Sequence, residues 1–144
     1  MRLPPIVRTT AGTLVSGLGL RSTDGGQTWH KFEPFPAIRA NGWRYDLLAL
    51  RIGWLLTAEV IGLGVGGDRW WFVVSRADGQ SWDFDGALDF YSPGQPIGGR
   101  ACPKTVQLDD DTIGTIYCDT DASQTGGAGV FFLRTPLARL ALPD

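Results

Sequence analysis

Two stretches of this chain repeat one short pattern, and that repeat constrains the fold more than anything else in its 144 residues. Ser22-Thr-Asp-Gly-Gly-Gln-Thr-Trp29 returns in weaker form as Ser75-Arg-Ala-Asp-Gly-Gln-Ser-Trp82. Both run Ser, any residue, Asp or Ala, any residue, Gly, Gln, Thr or Ser, Trp, and the two Trp stand 53 positions apart. Self-similarity at such a period marks an architecture built by repeating one supersecondary unit. The Gly and Asp inside the pattern make it a turn, because Gly reaches positive φ and a short carboxylate bonds the local backbone.

The rest of the chain says what the unit is made of. Twenty Gly, nine Pro, six Trp and many short β-rich runs argue for an all-β protein. Strands are expected over residues 13–16, 47–50, 54–60, 70–75, 104–108, 112–117 and 130–134, most of them bounded by Gly, Pro, Asp or Asn. No window sustains helical spacing for three turns with caps at both ends. The repeat length suits a four-stranded propeller blade with a generous loop, since blades take roughly 40–50 residues. The segment from Cys102 onward carries the same first three strands without a second hairpin pattern. The expectation is therefore a partial β-propeller of about three four-stranded antiparallel blades, over 1–35, 36–88 and 89–144. Rings close with about four to eight blades, so three leave two sheet faces open. Further blades, or a homodimer making a ring of six, are expected to cover them.

Composition excludes several function classes. Hydrophobic residues make up 43% of the chain, enough for a core, and the net charge is −2. Without a basic stripe, nucleic acid is not an expected partner. No apolar run is long enough to span a membrane. No h-region follows Met-Arg-Leu-Pro-Pro, so no signal peptide is visible; this leaves the location open, and an extracytoplasmic one fits if the N-terminus is truncated. Two Cys make neither a zinc site nor a disulfide framework. The Gly-rich stretch at 62–67 lacks the Lys-Ser/Thr of a phosphate loop. Asp109-Asp110-Asp111 reads as a tight turn rather than a calcium loop, which needs alternate ligands ending in Glu. His30, the single histidine, is placed on an edge strand without a metal partner. Neither a metal nor a cofactor is expected.

The stretch from Ser22 to Trp29 resembles the Asp box of sialidases and related propellers, S-x-D-x-G-x-T-W, at all five defining positions: Ser22, Asp24, Gly26, Thr28 and Trp29. In such a turn the Asp24 carboxylate accepts backbone N–H bonds, Gly26 takes a positive φ, and Trp29 tucks under the turn. The second copy keeps Ser75, Gly79, Ser81 and Trp82 but has Ala77 at the carboxylate position, where Asp78 is expected to substitute in part. An Asp box joins the third to the fourth strand of a blade and is structural. The resemblance implies that ligand-binding groups gather on the opposite face.

In this chain that face is supplied by the segments 35–46, 60–69, 86–100 and 119–128. They offer Arg69, Arg100, Asp119 and Asp121 as substrate-binding candidates. Arg grips a carboxylate bidentately, which suits acidic sugars. Arg69 is placed similarly to a carboxylate-binding arginine of sialidases, though two residues closer to the box serine. The run from Pro103 to Cys118 resembles the final sialidase blade, and alignment on Tyr117 puts Cys102 at the nucleophile and Cys118 at its Glu partner. The resemblance implies the C-terminal half of a sialidase-like glycoside hydrolase acting on acidic glycans, its catalytic set incomplete. The alternative is a non-catalytic propeller binding glycan or protein through its loops.

One further expectation comes from register. If 109–111 is a three-residue hairpin loop, Leu108 faces Thr112 and Cys102 stands directly opposite Cys118. Opposed Cβ atoms lie about 4.5–5.5 Å apart, a close pair that becomes a disulfide only in an oxidising compartment.

Overall fold

Short β-rich runs separated by tight Gly- and Asp-bearing turns pair most readily with their chain neighbours, and here antiparallel meanders result. The computed structural model describes residues 5–17, 19–31, 44–62, 68–89, 103–119 and 129–140. The first sheet holds β1 (Ile6–Arg8), β2 (Leu14–Ser16), β3 (Leu20–Ser22) and β4 (His30–Lys31), in chain order. The second holds β5 (Arg44–Ala49), β6 (Leu55–Gly62), β7 (Asp68–Ser75) and β8 (Asp83–Asp89). The third holds β9 (Lys104–Gln107), β10 (Thr112–Asp119) and β11 (Gly129–Pro136), followed by a single 3-10 turn at Leu137–Leu140. Every pairing is antiparallel. None of the sheets closes into a barrel, and no α-helix occurs among the described residues.

The sheets stack as successive blades of a partial propeller. Their first strands lie side by side, β1 against β5 and β5 against β9. Among the described residues, buried apolar side chains gather in two inter-sheet cores. Val15, Leu47 and Leu55 join the first sheet to the second, with Val7, Ala49 and Trp82 packed around them. Leu50, Leu56, Ala58, Phe72, Val74 and Ile113 join the second to the third, where Leu137 and Leu140 complete the core. The 3-10 turn thus lies beside β8 of the second sheet and β11 of its own.

Hydrogen bonds tie the sheets at the same junctions. Asp46, buried on β5, accepts from the Lys104 ammonium at 3.2 Å and from the Thr105 amide of β9. Arg51, in the turn after β5, reaches Asp110 at 2.7 Å, and its amide donates to Gln107 at 2.9 Å. Arg76 donates to the Leu140 carbonyl at 2.7 Å while its guanidinium lies over the Trp54 ring at 4.4 Å.

The β9–β10 register is the one the hairpin loop implies. Gln107 pairs with Ile113, Val106 with Gly114, Thr105 with Thr115 and Lys104 with Ile116, and the Leu108 amide bonds the Thr112 carbonyl at 3.0 Å. Cys118 pairs with Val130 on the other side of β10. Cys102 lies outside the described residues. The Asp109 carboxylate caps its own turn through the Asp111 amide at 3.0 Å.

Candidate functional site

The two copies of the repeated pattern occupy equivalent places. Residues 22–29 connect β3 to β4, and residues 75–82 connect β7 to β8. Both share one scaffold. The Ser22 hydroxyl accepts from the Gly26 amide at 2.8 Å, and the Ser75 hydroxyl accepts from the Gly79 amide at 3.0 Å. Two successive residues take positive φ in each: Gly25 and Gly26 at 75° and 95°, Asp78 and Gly79 at 52° and 78°. Asp is among the few non-glycine residues that tolerate this region.

The first hairpin closes on itself. Asp24 accepts from the Ser22 hydroxyl at 2.7 Å, from the Thr28 amide at 2.9 Å and from the Thr28 hydroxyl. The Thr28 hydroxyl, the Thr28 amide and the Ser22 hydroxyl hold the Asp24 carboxyl well below the usual carboxylate range. The Trp29 indole N–H donates to the Gly26 carbonyl at 3.1 Å, fixing the ring under the turn.

The second hairpin corrects the sequence expectation. Asp78 does not stand in for the carboxylate missing at Ala77; its side chain leaves the turn and reaches the first sheet. There it accepts from the Thr13 hydroxyl at 2.6 Å and from Arg21 Nη2 at 2.7 Å, while Arg21 Nε donates to the Asp78 carbonyl at 3.0 Å. Burial acts to raise the Asp78 pKa. Hydrogen bonds from Thr13, Thr9 and Arg21, with the Arg21 charge, outweigh it and lower the carboxyl. A Cβ on Gly79 would sit 3.1 Å from Val15 and 3.2 Å from Leu55, so any side chain there would push into the core on which the turn is seated. Trp82 packs on that core, and Ser81 is exposed.

These hairpins mark one end of the sheets, shared with the turns that follow β1, β5 and β9. A hollow of about 600 Å³ opens there beside Arg8, Gly12, Thr23 and Gly25. The binding candidates belong to the other end. Arg69 is the second residue of β7, paired with Ile61, and Asp119 is the last of β10, paired with Gly129. Both therefore border loops that join second to third strands. Arg100 and Asp121 lie outside the described residues, as do most of the loops around them. Among the described residues, no group of three or more His, Cys, Asp or Glu is gathered as for a metal ion. No helix among them is long and apolar enough to cross a membrane.

The Thr13–Arg21–Asp78 cluster is an inter-sheet contact that sequence reasoning missed. Its one signal was an Asp at a turn position where the first copy has Gly. No protein-family model, curated protein or solved structure matches the chain.

Proposed function

We propose that the chain is part of a sialidase-like Asp-box propeller that takes acidic glycans at the end of the sheets opposite its hairpins. The self-bonded hairpin at residues 22–29 carries this reading. Its Ser22, Asp24, Thr28 and Trp29 contacts are those an Asp box needs, and they are consumed within the turn. What remains for a ligand is the far end, where Arg69 and Asp119 stand on neighbouring sheets at strand termini. Arg69 would grip the sugar carboxylate bidentately, with Arg100 and Asp121 contributed by the adjoining loops.

Hydrolysis is the activity the family resemblance implies, its acid and nucleophile altered in this chain or supplied from elsewhere. A second reading, glycan or protein binding without hydrolysis, is supported by the cysteines: on the sialidase resemblance, alignment at Tyr117 would put Cys102 in place of the nucleophilic Tyr and Cys118 in place of its Glu partner. Titration with a sialylated trisaccharide and its desialylated form, followed by NMR, tests the binding. Preference for the acidic sugar, lost in Arg69→Ala and kept in Asp24→Ala, is the expected result. Equal response to both sugars, or none, rejects it. A fluorogenic sialoside then separates the two readings by whether product is released.

A further inference from the structure

The outer face of the third sheet repeats the Thr and Arg that the first sheet offers to the second. The turns after β1 and β9 close with the same bond, Thr9 amide to Thr13 carbonyl at 2.8 Å and Leu108 amide to Thr112 carbonyl at 3.0 Å. Thr112 therefore corresponds to Thr13. The registers Val15–Arg21 and Gly114–Arg134 make Gly114 correspond to Val15, and Arg134 to Arg21. Thr13 and Arg21 are the groups that hold Asp78 of the second sheet. Their counterparts point away from the second sheet, because Ile113, one residue from both Thr112 and Gly114, is buried in the core on the other face. Around them Val106, Ile116, Val130 and Phe132 are 52%, 46%, 65% and 58% exposed. The Phe132 ring lies on Gly114, where a Cβ would meet it at 2.7 Å.

The outer face of the first sheet carries the opposite half. The turns after β1 and β5 align Thr9 with Leu50, so Ile6 corresponds to Leu47, Leu14 to Leu55 and Gly26 to Gly79. Leu47, Leu55 and Gly79 form the surface that the second sheet presses onto the first. Ile6, by contrast, is 56% exposed. The first sheet thus presents outward what the second presents inward. One difference is compensated. The place of Asp78 is taken by Gly25, which has a carbonyl but no carboxylate. On the third sheet a carboxylate is already present: Asp109 lies 3.9 Å from Arg134, and bonds from Asp111 and Thr112, with the Arg134 charge, lower its pKa.

We propose that the outer face of the third sheet binds the first sheet of a second copy of this chain, head to tail, with Arg134 donating to the Gly25 carbonyl as Arg21 donates to that of Asp78. Each copy offers one face of either kind, so two copies bury both in two equivalent contacts. Six sheets result, within the range of about four to eight that closes a propeller. The second copy is chosen over an unrelated protein because the donor surface on the first sheet is continuous in kind with an interface the molecule already uses.

Sedimentation of the full chain at micromolar concentration, with Ile6→Asp and Phe132→Asp alone and mixed, tests this. The wild type should have twice the chain mass of 15.6 kDa. Each variant should run as a monomer with an unchanged far-UV spectrum. Their mixture should recover a dimer, since one of its two contacts pairs an intact Ile6 with an intact Phe132. Arg134→Glu should weaken the dimer without unfolding the chain. A monomeric wild type overturns the proposal. So does a dimer sensitive to Phe132→Asp but not to Ile6→Asp, which would mean third sheet against third sheet. Growth into open polymers, or variants whose mixture stays monomeric, likewise overturns it.

Discussion

The hairpins at residues 22–29 and 75–82 share a pattern, a place in their sheets and a backbone, yet their carboxylates do different work. In the first, Asp24 is exposed, and its bonds to Ser22 and Thr28 stay inside the turn. In the second, the carboxylate has moved one position along, to Asp78, and crosses to Thr13 and Arg21, 65 and 57 residues away. The Ser-to-Gly bond and the paired positive φ values persist in both. The turn therefore holds its shape without the internal carboxylate, which leaves an acidic residue available for joining sheets.

Asp78→Ala should have the largest effect, lowering stability by about 2–3 kcal/mol because buried Thr13 and Nη2 of the half-buried Arg21 lose their carboxylate acceptor. Urea unfolding measures this, and a loss no greater than that of Asp24→Ala would erase the distinction between the hairpins. Gly79→Ala should cost about 2 kcal/mol, since the new methyl meets Val15 and Leu55 on a tightly packed core. Gly26→Ala keeps only the positive-φ strain and a 3.4 Å contact with Leu14, and should cost about 1 kcal/mol. Thermal melts of the two alanine variants side by side would show the order, and its reversal would place the tighter junction at the first hairpin.

Asp24→Ala should be milder, loosening residues 22–29 while β6 and β7 keep their hydrogen-exchange protection. Spread of the loss into the second sheet would contradict a self-contained turn. Acid sharpens the contrast further. The folded Asp78 carboxyl titrates below its unfolded value of about 3.9, so its contribution is complete above that value and is lost as pH falls through the folded pKa. Urea midpoints between pH 5 and 2 should fall less steeply for Asp78→Asn than for the wild type. Parallel curves would mean that the carboxylate contributes nothing.

Much of this fold was legible because its signals are local. Long β-branched and aromatic runs such as those of β6, β7 and β10 announce strands, and residues 109–111 set the β9–β10 register through loop length alone. The strands left unassigned are of two kinds. β1, β3 and β4 are two or three residues long, too short for alternation to show. β8, Asp-Phe-Asp-Gly-Ala-Leu-Asp, is poor in strand formers and is held by its pairing with β7. The first hairpin was readable to the hydrogen bond for the same reason of locality. Asp78 was not, because nothing in its neighbours says that Arg21 waits across a sheet boundary. Arg69 and Asp119 could be placed at one end of the sheets from strand order alone, whereas Arg100 and Asp121 lie outside the described residues.

Whether the second hairpin joins sheets through Asp78 is measured most directly by a double-mutant cycle. Arg21→Ala, Asp78→Ala and the double variant, unfolded in urea at pH 7, should give a coupling energy of about 1–2 kcal/mol. A coupling indistinguishable from zero, with each single variant destabilising independently, would contradict it.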